Sequence, residues 1–325
     1  MTVTMRELAR LAGVSISTVS KAFSDAPDIG EETREHIFAV AKEHGCYGKF
    51  YKKKYPKRVV AIITSELSAY YTDFIRRLKH FIDRNGGIAV VAEDHFDKER
   101  QAELIEYFAS YLHVDGIIVF DLRTEIKRGF DTPIVSLFTC ADGRVDAVLS
   151  DYDAAMEALF SRLHELGHRR IAFLGEPLTE RKERLFREAA ARHRELEATV
   201  IRTEKRFEEA GEDCVGRWIA EQNPSTALVC AYDDMAIGAM KALQLAGYAI
   251  PEDVSVIGMD NIRTAAYLDS ALSSVDMRTD EICAAAWELL WRKQKNPYYR
   301  SNKDIVVEAK YIERASVGKV KTQNK

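Results

Sequence analysis

From residue 59 onward the chain alternates between two patterns. Short runs rich in β-branched residues occupy 59–64, 88–92, 116–120, 134–138, 147–150, 170–174, 198–202, 226–230 and 254–259, and they predict strands. Between most of them, as at 71–85, 99–113, 154–166 and 235–246, apolar residues recur every three or four positions, which predicts helices. Alternation of strand and helix is the grammar of parallel α/β sheets. Two such units in series predict two Rossmann-like lobes. Ligands of such sheets sit beyond the carboxyl ends of the strands.

The first residues follow a different pattern. Thr4 and Glu7 form a Thr-x-x-Glu capping box that starts a helix, with Leu8, Leu11 and Ala12 on its inner face. Gly13 permits a sharp turn. Ser15 is a natural N-cap for a second helix whose Val19, Ala22 and Phe23 point inward. After a loop with Pro27, a third helix is expected over 31–44, with Gly30 as a fair cap and Ile37, Val40 and Ala41 buried. Two short helices joined by a glycine turn have the geometry of a helix-turn-helix DNA reader. The second helix leaves Ile16, Ser17, Thr18, Ser20 and Lys21 outside. That face can lie close against a major groove while Lys21 reaches guanine O6 or N7. Thr18 and Ser20 suit phosphates, and the helix N-terminus adds backbone donors. Thr4, Ser15 and this face are the candidate DNA contacts; a small helical domain with a solvated polar face is the alternative.

At 325 residues the chain is too long for one ordinary core, so two or three domains are expected. Its net charge of -4 conceals an asymmetry. Residues 1–58 hold eleven Lys/Arg against seven Asp/Glu, which leaves -8 on the remainder. A basic head on an acidic body suits nucleic-acid contact at one end only. Cys46, Cys140, Cys214, Cys230 and Cys283 are scattered and form no CxxC pair, which argues for reduced thiols in the cytoplasm. No secretion signal is expected, and no apolar run reaches the ~18 residues of a membrane helix. The polar residues 319–325 are expected to be disordered.

The string Gly13-Val14-Ser15-x-x-Thr18-Val19-Ser20 resembles the LacI/GalR family of bacterial transcription regulators. Glu31-Glu32-Thr33-Arg34 matches the family's third-helix start. Leu166-Gly167-His168-Arg169-Arg170-Ile171-Ala172-Phe173 and Pro251-Glu252-Asp253-Val254-Ser255-Val256-Ile257-Gly258-Met259-Asp260 match later signatures in the right order. The resemblance implies an N-terminal three-helix helix-turn-helix domain (1–46), a basic hinge (47–58) and a two-lobed body of the periplasmic-binding-protein type I kind with parallel sheets (59–315). In such a body the chain crosses between lobes three times. The N-lobe is expected over 59–163 and 276–303, the C-lobe over 164–275 and 304–315, and a disordered tail over 316–325. The resemblance also implies a homodimer joined mainly through the N-lobe, a near-palindromic operator in double-stranded DNA, and a small-molecule effector in the interlobe cleft. Repression is the default sign for the family, with activation as the alternative.

The hinge departs from the family pattern. Where relatives carry Pro-Asn-x-x-Ala-Arg-x-Leu, which wedges a leucine into the minor groove, residues 48–58 interleave five lysines and an arginine with Phe50, Tyr51 and Tyr55. Lys52, Lys53 and Tyr55 are the candidate DNA contacts here. The segment reads as a phosphate-tracking linker, as a wedge made by Tyr55 or Tyr51, or as a solvated basic stretch.

Effector candidates follow the strand ends: Ser65, Ser68, Tyr70 and Tyr71; Asp121 and Arg123; Arg181, Lys182 and Arg184; Tyr232 and Asp233; Asp260 and Asn261. Aromatic faces can stack on a sugar ring, and carboxylates can take paired hydroxyls. Tyr70 and Tyr71 could equally be helix-start packing, and the 181–184 cations a solvated helix face. Asp260 matches a family ligand position in an intact motif. Tyr232 stands where relatives usually carry Asn, Phe138 where Asp is frequent, and Lys182 where the family has its ligand-binding Arg. A more aromatic and more cationic pocket is expected, and with it a sugar derivative or an anionic ligand such as a phosphorylated or acidic sugar. No cofactor or metal is implied. His164 and His168 stand four apart, but no Glu or Cys completes a metal set. No nucleotide-binding, metalloprotease or nucleophile-elbow motif is present, which argues against an enzyme. A solute-binding protein of the same body fold and a sugar-processing enzyme are the rival classes.

Overall fold

The computed structural model describes residues 3–24, 26–51, 58–126, 132–295 and 304–321. They divide into two compact units, one ending at Arg58 and one beginning at Val59.

The first unit contains α1 (Met5–Leu11), α2 (Ile16–Phe23), α3 (Glu31–Glu43) and α4 (Tyr47–Tyr51). Both halves of the predicted capping box form: Glu7 N donates to Thr4 Oγ1 at 3.2 Å, and Thr4 N donates to Glu7 Oε2 at 2.8 Å. Gly13 turns the chain at φ +67°. Leu8, Val19, Ala22, Phe23, Ile37 and Ala41 close the core. Leu11, expected inside, is 38% exposed; Ala9 joins Leu8 and Ala12 on the inner face instead. The head does not stop at residue 46. Tyr47, Phe50 and Tyr51 share one face of α4, where Phe50 packs 5.6 Å from Phe23 and Tyr51 packs 5.8 Å from Phe38. Rings one turn apart on a short helix find an aromatic surface already present, and so join the core.

The second unit holds two six-stranded sheets. The N-lobe carries β1 (Val59–Thr64), α5 (Ala69–Arg84), β2 (Ile88–Glu93), α6 (Lys98–Glu106), β3 (Gly116–Leu122), β4 (Ile134–Cys140) and β5 (Asp146–Asp151). The C-lobe carries α7 (Asp153–Glu165), β6 (Arg170–Gly175), α8 (Glu180–Arg192), β7 (Glu197–Arg202), α9 (Phe207–Ala220), β8 (Ala227–Cys230), α10 (Asp233–Leu245), β9 (Ser255–Met259) and β10 (Ser273–Asp276). The chain then returns through α11 (Thr279–Lys295) and β11 (Ile305–Glu308) to the N-lobe and ends at β12 (Lys310–Ile312) in the C-lobe. That makes the three crossings implied by the resemblance. Strand orders are β11-β5-β4-β3-β1-β2 and β12-β10-β9-β8-β6-β7. Pairing is parallel throughout, except that β12 runs antiparallel to β10. Central strands such as β8 and β9 are buried along their whole length, as parallel strands covered on both faces must be.

All nine predicted strands are present; β10, β11 and β12 are additional and too short to carry a pattern. Three expected boundaries move. Helix α7 packs on the C-lobe, with the Phe160 and Phe186 rings 5.3 Å apart, so the first crossing lies at Tyr152 and not near 163. Strand β11 extends the N-lobe sheet beside β5, so residues 305–308 are not C-lobe. Residues 316–321 are not a loose tail. Ser316 Oγ donates to Val256 O at 2.6 Å, Gly318 N donates to Ser255 Oγ at 3.1 Å and Val320 N donates to Leu166 O at 3.1 Å. These bonds satisfy buried polar groups that the strand ends would otherwise leave open. No helix among the described residues is long and apolar enough to cross a membrane.

Candidate functional site

The outer face of α2 is built from its cap. Ser15 Oγ accepts from Thr18 N at 3.0 Å and lies within 2.7 Å of Thr18 Oγ1 and 2.6 Å of Ser17 Oγ. This cluster of hydroxyls sits on an uncovered helix N-terminus, a place that accepts a phosphate. Ser15, Ile16, Ser17 and Lys21 are exposed, and Thr18 and Ser20 half-buried. Ile16, 43% exposed, offers an apolar surface of the kind that meets a thymine methyl. Lys21 is not free: its Nζ pairs with Asp28 at 2.5 Å, so a contact with a base requires exchange of that partner. Thr4 is occupied as the α1 cap, leaving its hydroxyl tied to Glu7. Tyr51 stacks on Tyr47 at 4.8 Å within the head, which removes it as the minor-groove wedge. Lys52, Lys53 and Tyr55 lie outside the described residues.

In the body, β1 lies between β2 and β3, so the loops after β1 and β3 leave the sheet in opposite directions and open a crevice. The C-lobe repeats this around β6, between β7 and β8. Both crevices open into one cleft of about 510 Å³. The N-lobe supplies Glu66, Ser68, Tyr70, Tyr71, Phe96, Asp121, Arg123, Phe138 and Thr139. The C-lobe supplies Glu176, Arg181, Lys182, Arg206, Phe207, Tyr232, Asp234 and Asp260, among others. Tyr152 and Met277 line it from the first two crossings.

Charge in the cleft is mostly paired. Lys182 Nζ lies 2.7 Å from Asp260 Oδ1. Arg206 donates to both oxygens of Glu66 across the lobes, at 2.7 and 3.1 Å, with Phe96 and Phe207 under its guanidinium. Arg123 donates to buried Asp94 at 3.1 Å and to Ser65 Oγ at 2.7 Å. Burial pushes the Asp260 carboxyl up to about 7, against the opposing pull of Lys182. Burial also raises Asp121 and Glu176, and takes Asp234 to about 6. Such carboxyls lack the solvation they had in water and seek hydrogen-bond donors. The phenols of Tyr70, Tyr71 and Tyr152 are raised by burial and stay neutral.

The backbone around the cleft is strained. Phe96, Asp121, Phe138, Phe207 and Asp260 all have positive φ, a region that L-residues with side chains seldom occupy. Asp121 and Phe138 stand near the ends of β3 and β4, Phe96, Phe207 and Asp260 come after β2, β7 and β9, and all five line the cleft. Strain of this kind persists where surrounding structure imposes it, and it clusters at binding sites.

Ten of the expected effector residues line this cleft: Ser68, Tyr70, Tyr71, Asp121, Arg123, Phe138, Arg181, Lys182, Tyr232 and Asp260. Ser65, Arg184, Asp233 and Asn261 do not. Arg184 points to solvent beside Glu188, one turn along the same helix, because α8 turns its inner face to Glu183 and Phe186. Asp233 is buried as a structural acceptor, taking Ser274 Oγ at 2.6 Å and Ile262 N at 2.8 Å. It is packed so closely on Gly258 that a Cβ there would stand 2.0 Å from Asp233 Oδ1. Its neighbour Asp234 lines the cleft instead. Phe96, Arg206 and Phe207 were missed. They follow β2 and β7, so the strand-end rule applied to those two strands would have found them. His168 lies beyond α7, with its ring within 2.8 Å of Thr226 Oγ1 and 3.1 Å of Gly318 O, in a structural role.

Residues 4–47 match the bacterial regulatory proteins of the lacI family, and residues 160–317 match the periplasmic binding protein-like domain. The chain belongs to the LacI family. It is 29% identical over 297 residues to the HTH-type transcriptional regulator AscG of Escherichia coli (strain K12), covering 86% of this chain and 88% of AscG. It is 27% identical over 333 residues to the HTH-type transcriptional repressor PurR of Klebsiella pneumoniae (strain 342), covering 97% and 96%. The lac repressor dimer bound to operator and the anti-inducer ONPF superposes with a TM-score of 0.72 at 19% identity, covering 98% of this chain and all of that one. A periplasmic binding protein/LacI transcriptional regulator from Alkaliphilus metalliredigens QYMF, complexed with D-xylulofuranose, gives 0.71 at 22% identity, covering 80% and 99%. This LacI-family chain is a transcription regulator that joins a helix-turn-helix head to a two-lobed body.

Proposed function

We propose that this LacI-family regulator is a cytoplasmic repressor that binds a near-palindromic operator as a homodimer and responds to a sugar or sugar derivative held between its lobes. One observation carries the reading: both lobes turn their sheet crevices, lined with carboxyls and aromatic rings, into one cleft of monosaccharide size. The D-xylulofuranose held by the Alkaliphilus relative supports a sugar as the occupant. An N-lobe dimer is supported by its edge strand β2, where Ile88, Val90 and Val91 are exposed, and by the exposed stacked pair Tyr107–Tyr111. The operator-bound lac repressor dimer supports the same arrangement. The protein acts by binding, not by chemistry: effector closes the cleft, and its differential affinity for the closed state shifts the operator-binding equilibrium, with coupling of about 1–3 kcal/mol.

The deciding experiment is operator binding by fluorescence anisotropy, using promoter DNA from the genes flanking this one, with and without a panel of sugars. Specific binding that one sugar weakens or strengthens at least fivefold is the expected result. Lys21→Ala should reduce the preference for operator over scrambled duplex. Equal affinity for operator and scrambled DNA under every condition would sink the reading.

A further inference from the structure

We infer that the effector carries an oxyanion, a carboxylate or a phosphate, and that Arg181 grips it. The inference rests on the sugar reading above and narrows it to one class.

Four cations line the cleft, and three are already neutralised. Lys182 has Asp260, Arg206 has Glu66 and Arg123 has Asp94. Arg181, in the first turn of α8, has no carboxylate within ion-pair distance among the described residues. Its one hydrogen bond there runs from Nη1 to the carbonyl of Phe138 on the opposite lobe, at 3.5 Å, the long limit of such a bond. A guanidinium has five N–H donors, so most of its capacity faces the cavity unused. Half-buried, it lines the cleft and does not share the solvated helix face where Arg184 lies.

The surroundings determine what satisfies it. A planar fork of donors with a free edge suits a carboxylate or phosphate taken two-pronged, and it does so better than the single oxygen of a hydroxyl. Carboxyls already in the wall do not reach it. Asp121 is held by Thr139 Oγ1 at 2.9 Å, and Asp260 by Lys182. Those two acids, with Asp234, suit the hydroxyls of the ligand. Arg181 suits its charge. The same bond to Phe138 makes Arg181 a bridge between lobes, so an oxyanion seated there touches the element that spans the cleft.

The test uses the full chain and isothermal titration at constant ionic strength with four probes: D-glucose, D-glucuronate, D-gluconate and D-glucose 6-phosphate. At least one anionic probe should bind about tenfold to a hundredfold tighter than D-glucose. The carboxylate and phosphate arms show which oxyanion it is. Arg181→Gln should reduce that preference to within about twofold, and Arg181→Lys should keep part of it. Unchanged melting temperatures of both variants would show that folding is intact. If D-glucose binds as tightly as every anionic probe, or if Arg181→Gln weakens neutral and anionic probes equally, the inference is overturned while the sugar reading stands. If none of the four binds, the inference is overturned, while the sugar reading stands or falls with the operator-binding experiment above.

Discussion

The two walls of the cleft differ in kind. The N-lobe wall is dominated by rings: Tyr70, Tyr71, Phe96 and Phe138 face inward, and Tyr70 lies 6.0 Å from Phe138. The C-lobe wall is dominated by charge: Glu176, Arg181, Lys182, Arg206, Asp234 and Asp260. The sheets behind them have the same strand order about their switch points, so topology does not explain the contrast. The side chains placed after each strand do. An aromatic wall displaces water and stacks on the apolar faces of a ring, whereas a charged wall reads hydroxyls and charge. When water leaves, the charged wall becomes more discriminating, because its interactions strengthen as the local dielectric falls.

The largest test of this division is Asp260→Asn. It keeps one acceptor oxygen but turns the other into an NH2 donor and leaves the Lys182 ammonium without its carboxylate. Affinity for whichever sugar the binding screen identifies should fall by about 2–3 kcal/mol, on the order of a hundredfold, as measured by titration calorimetry. A loss smaller than threefold would mean that the charged wall does not read the effector.

The aromatic wall is tested by removing the ring of Phe96 in two ways. Phe96→Ala and Phe96→Gly both lose the platform and should weaken the sugar by a similar factor, about tenfold. They should differ in stability. At φ +63° glycine is unstrained and alanine is not, so the glycine variant should be more stable to urea by about 1 kcal/mol. Equal stabilities would show that the left-handed backbone there carries no strain.

The smallest effect is on pH. Asp233 and Asp234 titrate near 6 and Asp260 near 7, all above the ordinary carboxyl range because burial disfavours their charge. Between about pH 4 and 7 the folded protein therefore binds more protons than the unfolded chain. Stability is full below that window and falls as pH rises through it. Melting of the ligand-free protein should drop by a few degrees from pH 5 to pH 8, by less in Asp260→Asn. A melting temperature that rises over this range would contradict the assignment of raised carboxyls.

Much of this arrangement was legible in the residues. Strand runs such as 59–64 announce buried parallel strands because they are continuous and mostly β-branched, and the positions just after strand ends are where α/β sheets hold ligands. Two kinds of information were not local. Whether Asp233 or Asp234 faces the cleft depends on Gly258, twenty-five positions away, which lets Asp233 sink into the core. Whether Arg181 or Arg184 faces it depends on which side of α8 meets the sheet, and the charge-rich sequence of that helix leaves the side unspecified. The hinge was misread for a related reason: Tyr47, Phe50 and Tyr51 look like linker aromatics until Phe23 and Phe38 are seen to form the surface that receives them.

Met277 sits at the second crossing, just past the end of β10, and its sulfur accepts the hydroxyls of Tyr70 at 3.2 Å and Tyr152 at 3.0 Å. One soft, polarizable atom thus ties a ring of the ligand chamber to two of the three strands of backbone that connect the lobes. A guest that pushes Tyr70 aside tugs on the pivot itself. News of occupancy then needs no long relay through the core, since the first atom disturbed and the joint that swings are already neighbours.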